Sequence, residues 1–160
     1  MDISNGDGIR VSIFVQGCHF HCPGCFNPET HDFSGGIQFD ENTLSILLKL
    51  LDKPWIDGLS ILGGEPLNPE NVNTVYEIVK AVKSKYPNKT IWLWTGYTYD
   101  SIININNELL QQINVLSFCD VLIDGQYNKV LYDPSLKFRG SSNQNIYHKI
   151  NNNWYLINKI

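Results

Sequence analysis

Neither sign of charge dominates this chain: twelve Lys and Arg stand against sixteen Asp and Glu, a net charge of −4. The basic excess that grips a phosphate backbone is missing, which argues against a nucleic-acid partner. No apolar run approaches the ~20 residues that span a bilayer. The opening Met1-Asp2-Ile3-Ser4-Asn5-Gly6-Asp7 has neither the basic start nor the apolar stretch of a secretion signal. The expectation is a cytoplasmic protein with no membrane attachment. Cysteine is sparse too: three of the four, Cys18, Cys22 and Cys25, crowd into eight residues, and Cys119 lies far away. A two-disulfide framework suits that spacing poorly, whereas a metal or cluster site suits it well. Internal repeats, linkers and low-complexity tracts are also missing, since the many Asn residues of the second half are interspersed with apolar ones.

What is present is enough apolar material for a core. Of 160 residues, 42% are hydrophobic, with four Trp, eight Tyr and seven Phe, so one domain over residues 1–160 is expected. Arg10 to Gln16 is rich in β-branched and aromatic residues and reads as a buried strand. Asp40 to Leu51 sets Leu44, Leu47, Leu48 and Leu51 at helical spacing, with Asp40 as N-cap and Pro54 beyond the end. Gly58 to Leu62 is a second apolar strand, and Pro69 to Lys85 a second helix carrying Val72, Val75, Ile78, Val79 and Val82 on one stripe. Thr90 to Trp94 followed by a helix near Asp100 to Ile113 makes a third unit, and Cys119 to Ile123 a fourth strand. Strands alternating with helices predict an α/β fold with a mostly parallel sheet. A closing hairpin is expected from Asn145–Ile150 and Trp154–Ile157 about Asn151-Asn152-Asn153.

Cys18, Cys22 and Cys25 form a C-x-x-x-C-x-x-C pattern on the loop leaving the first strand, at the sheet edge where α/β folds open their sites. Three thiolates so close can hold three irons of a cubane, leaving the fourth iron open to a substrate. The same spacing also allows a tetrahedral Cys₃His zinc site completed by His19 or His21. Structural zinc serves mainly domains too small for a core, and this chain has one, which favours the cluster. Otherwise His19 and His21 read as polar loop residues and Cys119 as a buried core thiol. Gly63-Gly64-Glu65-Pro66 ends the second strand, where missing side chains let a ligand reach the backbone and where Glu65 can accept from an amino group. A Gly-Gly turn is by itself an ordinary strand-to-helix connection; its place beside the cysteine loop gives it weight. Thr95-Gly96 and Asp124-Gly125 hold the corresponding ends of the third and fourth strands.

Cys18-x-x-x-Cys22-x-x-Cys25 together with Gly63-Gly64-Glu65-Pro66 resembles the radical S-adenosylmethionine superfamily. Gly17 through Asn27, the turn through Leu67, Trp92 through Tyr97, Ile123-Asp124-Gly125 and Phe138 through Gln144 resemble, within it, the group that activates anaerobic ribonucleoside-triphosphate reductases. The likeness runs from about Asn5 to Ile146. Two positions depart from the pattern: Gly24 stands where the superfamily often has an aromatic residue, although glycine is usual in the activating group, and His31 stands where that group has tryptophan.

The resemblance implies a partial, open (β/α) barrel, since 160 residues fall short of the ~250 of a full eight-unit barrel. It implies a [4Fe-4S] cluster on Cys18, Cys22 and Cys25, with S-adenosylmethionine chelating the fourth iron. Gly63, Gly64 and Glu65 would meet the methionine amino group; Gly24 and Phe26 would lie along the adenosyl moiety, with Cys25 and Thr95 in the same cofactor site. Reductive cleavage would yield methionine and a 5′-deoxyadenosyl radical, which would take hydrogen from a glycine on the reductase large subunit. An electron donor such as flavodoxin is implied. Asp124 is a candidate for holding a cation or facing the sulfonium, or else a turn former before Gly125. Arg139 is a candidate for a carboxylate or the partner's backbone, or else a solvated loop charge. The competing functions are activation of another glycyl-radical enzyme, of the pyruvate formate-lyase type, and a non-catalytic zinc or electron-transfer module.

Overall fold

The computed structural model describes residues 1–104 and 110–157. Six strands make one sheet: β1 (Arg10–Val15), β2 (Gly58–Gly63), β3 (Thr90–Trp94), β4 (Val121–Asp124), β5 (Asn145–Ile150) and β6 (Asn153–Leu156). They lie in sequence order across the sheet. β1 to β4 are parallel, paired in register from Arg10 opposite Gly58 to Trp94 opposite Ile123. β5 and β6 then add two antiparallel pairings. The architecture is therefore mixed α/β, mostly parallel with an antiparallel end, and among the described residues the sheet is open rather than closed into a barrel.

Among the described residues four α-helices accompany the strands: α1 (Glu41–Leu51), α2 (Val72–Lys85), α3 (Tyr99–Ile103) and α4 (Leu110–Phe118). Because each parallel crossover steps the same way along the sheet, right-handed connections bring the helices to one face. Leu47, Val75, Val79 and Val115 of the helices accordingly share a core with Leu59, Ile61, Ile91, Leu93 and Leu122 of the strands. Alternate strand residues point the other way, where Trp92, Val121, Ile123 and Ile146 form a second cluster with Trp94 and Phe138. That helix-free face carries the cleft described below.

Local chemistry sets the boundaries. Asp40 is extended and its carboxylate accepts from Thr43 N at 2.7 Å, capping α1 as expected. α2 begins at Val72 rather than Pro69, because Asn68 folds the preceding residues into turns, its side chain accepting from Glu70 N and its carbonyl from Val72 N. The single helix expected over Asp100–Ile113 is not what forms. Thr98 caps α3 through Ser101 N, that helix ends at Ile103, and α4 runs on to Phe118; residues 105–109 lie outside the described residues. Cys119 is not on β4. Its amide donates to Leu116 O and its thiol to Val115 O, so it finishes α4 while remaining fully buried. The closing hairpin turns on Asn151 and Asn152, both at positive φ, which suits a two-residue turn.

Arg10 went unnoticed in the sequence. It is 1% exposed at the start of β1. Its guanidinium donates to Ser60 Oγ, Leu59 O and Thr90 O and lies 5.3 Å from the centre of the Trp92 ring, joining β1, β2 and β3 across the helix-free face.

Candidate metal centre

The cysteine loop is shut at its base. Gly17 leaves β1 with φ +97°, and a Cβ there would stand 2.2 Å from the Phe33 ring, so only glycine fits. Gly17 N donates to Thr30 O at 2.8 Å and Cys18 N to His31 O at 3.1 Å, while Gln16 Nε2 reaches Glu29 O and Asp32 O. Inside this closure Cys25 N donates to Cys22 O, and Cys25 Sγ accepts from Asn27 N at 3.4 Å.

The Gly-Gly turn packs directly on that base. Gly64 N donates to Val15 O and Glu65 N to Gly17 O, each at 2.8 Å. A Cβ on Gly64 would come within 2.5 Å of Gly17 O, and Gly63 holds φ +105°. Asn71 Nδ2 bridges Glu65 O and Gly17 O, a third tie between the loops.

Cys18, Cys22, Cys25, Phe26, Gly63, Gly64, Glu65 and Thr95 all line one cleft of about 540 Å³ on the helix-free face. Gly24, at φ +76°, lies behind this wall, next to Lys129 and Tyr127. The three thiols are free. Burial pushes the Cys18 and Cys22 thiols up; neighbouring backbone N–H groups partly oppose the rise. His19 turns away, its ring against Phe20 and Tyr97 and its Nδ1 2.8 Å from Asn68 Nδ2. His21 faces His31, with the two Nδ1 atoms 3.2 Å apart.

Among the described residues no three Cys, His, Asp or Glu side chains converge on a single ion. A cubane is a larger guest that takes its sulfurs at separate corners. The donor set suits it: three thiols opening on one cleft, one of them accepting a backbone N–H, with Cys119 sequestered in the helix-side core.

Glu65 is 1% exposed. Its Oε1 accepts from Thr95 Oγ1 at 2.7 Å and Leu67 N at 2.8 Å, and its Oε2 accepts from Gly96 N at 2.7 Å. Burial pushes its carboxyl up to about 7 against the pull of those three donors. Glu65 and Thr95 thus brace the ends of β2 and β3 together, and Phe20 of the cysteine loop seats on Gly96, where a Cβ would be 2.5 Å from the ring. Asp124 does not reach the cleft wall. One of its oxygens accepts from Tyr99 N and the other from Asn145 N, so it fixes the start of α3 and of β5. Arg139 does line the cleft, and its Nη1 donates to Gln144 O at 2.8 Å.

The sequence reading missed the far wall: Phe14, Trp94, Phe138, Tyr127 and Tyr132 also line the cleft. Strand alternation could have paired Phe14 with Trp94; nothing in the sequence singled out the loop tyrosines.

The three-cysteine cleft lies within residues 4–147, which match a family model described as a 4Fe-4S single cluster domain, and this puts the chain among iron–sulfur proteins. Three anaerobic ribonucleoside-triphosphate reductase-activating proteins are similar over almost the whole chain. That of Pasteurella multocida is 42% identical over 148 residues, 91% of each chain. That of Enterobacteria phage T4 is 40% identical over 96% of this chain and 92% of its own. The Escherichia coli K12 protein is 38% identical over 92% and 94%. The chain belongs to the family of anaerobic ribonucleoside-triphosphate reductase-activating proteins. No helix among the described residues is long and apolar enough to cross a membrane.

Proposed function

We propose that this chain is a radical S-adenosylmethionine activase that installs a glycyl radical on the large subunit of an anaerobic ribonucleoside-triphosphate reductase. The carrying observation is the meeting of Cys18, Cys22 and Cys25 with the Gly63-Gly64 turn in one cleft at the C-terminal ends of parallel strands. The names of the relatives support the reductase as partner over other glycyl-radical enzymes.

Cys18, Cys22 and Cys25 would hold the [4Fe-4S] cluster. When bound, the cluster supplies the electron, from a donor such as flavodoxin, that cleaves S-adenosylmethionine to methionine and a 5′-deoxyadenosyl radical. The chain's own part is to bind, orient and exclude water. Gly63 and Gly64 bring bare backbone to the cleft and would receive the methionine amino group. Glu65 and Thr95, engaged with each other, would hold that backbone in place. Phe26 would cover the adenosyl moiety, with Gly24 giving the loop its bend. The open sheet, read as a partial barrel of the superfamily's type, would leave the cleft accessible to a protein substrate.

The test is anaerobic reconstitution with iron and sulfide, then assay of 5′-deoxyadenosine and of the glycyl radical signal with and without the reductase. A brown protein with about four irons that forms both products is expected. A colourless protein taking up one zinc, or one making no 5′-deoxyadenosine under reduction, would overturn the proposal.

A further inference from the structure

The segment Arg139-Gly140-Ser141-Ser142-Asn143-Gln144, singled out in the sequence for its resemblance alone, folds into a clamp. Gln144 Oε1 accepts from Gly140 N at 2.9 Å and Ser141 N at 3.1 Å, while its Nε2 donates to Gly125 O at 3.0 Å. Ser141 is fully buried and its Oγ accepts from Asn128 N at 3.1 Å. Ser142 N donates to Leu131 O at 2.9 Å. One side chain therefore spans the chain leaving β4 and the chain entering β5, and its neighbours pin the residues between.

What those residues carry is the aromatic wall of the cleft. The Tyr127 ring lies 5.0 Å and the Tyr132 ring 6.0 Å from that of Phe26. Gly140 makes room for the wall, because a Cβ there would stand 2.5 Å from Phe26 and 3.0 Å from Tyr127. Phe26 itself is 61% exposed and has little packing of its own to fix it. Its position depends on what lies behind it, and that is the clamped segment.

We infer that Gln144 is a positioning residue: by bridging Gly125 to Gly140 and Ser141 it sets the Phe26–Tyr127–Tyr132 wall at the spacing that accepts the purine ring of the nucleoside. The inference rests on the S-adenosylmethionine reading above. It assigns Gln144 no contact with the reacting atoms and no hold on the amino-acid end of the ligand.

The test compares 5′-deoxyadenosine and methionine binding to the cluster-loaded protein by equilibrium dialysis. Gln144→Ala strands three backbone groups, a loss worth about tenfold if expressed at the wall. The expected result is a tenfold weaker 5′-deoxyadenosine affinity with methionine binding unchanged, and almost no further loss when Gln144→Ala is added to Phe26→Ala. Gln144→Glu, which keeps the accepting oxygen but loses the donor to Gly125 O, should fall between. If Gln144→Ala fails to load with iron, Ser141→Ala carries the same expectation. Equal losses for both ligands, no loss, or full additivity with Phe26→Ala overturns the inference alone. Wild-type protein that binds neither ligand overturns the proposed function and this inference with it.

Discussion

Glu65 and Thr95 face each other across the ends of two parallel strands, the threonine hydroxyl donating to the carboxylate at 2.7 Å. The pair belongs to a buried brace that also takes in Gly96 N and Leu67 N. Both residues can therefore shape the cleft without lending their own polar atoms to a ligand.

Stability should carry the imprint of this carboxyl between pH 4.5 and 7. Folding raises the Glu65 pKa from 4.5 to about 7, so over that window the folded state binds the proton that the unfolded state has released. Stability then falls as pH rises through the window and levels off above it, by about 3 kcal/mol from this group. Denaturant titrations from pH 4 to 8 should show the decline in wild type and a flatter profile in Glu65→Gln.

Gly64→Ala should separate the two loops. The added Cβ meets Gly17 O at 2.5 Å and Thr30 O at 2.9 Å, both backbone atoms that cannot swing aside. Overpacking of this kind costs about 1–3 kcal/mol. A lower denaturation midpoint together with reduced iron retention is expected, and a variant as stable and as iron-rich as wild type would contradict this packing.

The four cysteines should divide cleanly. Serine at Cys18, Cys22 or Cys25 is expected to abolish cluster assembly, read as lost visible absorbance and iron. Cys119→Ala should keep its full iron content, because that thiol is fully buried in the helix-side core and burial pushes its pKa up to about 12. Its cost should be packing alone, about 1 kcal/mol.

Asp124→Ala should lower stability and leave chemistry intact. The carboxylate satisfies Tyr99 N at 2.7 Å and Asn145 N at 3.1 Å in a site 1% exposed. Stranding both donors costs about 2–4 kcal/mol. Measured per loaded cluster, S-adenosylmethionine cleavage should match wild type; a selective loss of turnover would restore Asp124 to the reaction.

Much of this was legible because the chemistry is local. The parallel strands announced themselves as apolar runs ending in glycine, and the cysteine loop through spacing that any reader of metal ligands would weigh. Asp40 capped α1 as its position promised. The misses share a cause: they depend on residues distant in sequence. α2 starts late because Asn68, met by His19 of the cysteine loop, reorganises the turn before it, and Cys119 closes a helix because β4 must begin where Asp120 N meets Ile91 O. Arg10 reads as the first residue of a strand, and only the assembled sheet shows it bonding Ser60 and Thr90. The role of Gln144 was equally hidden, since Gly125 lies nineteen residues away.

The hydrogen bonds from Gly17 to Thr30 and from Cys18 to His31, with the Gln16 amide beside them, draw the cysteine loop shut. The aliphatic core beneath it includes none of Cys18, Cys22 and Cys25. The bonds that set the loop's path are thus ones in which none of the three thiols takes part. Closure of the loop and the chemistry of its sulfurs are therefore separable, so replacing a thiol should leave the bonds to Thr30 and His31 standing.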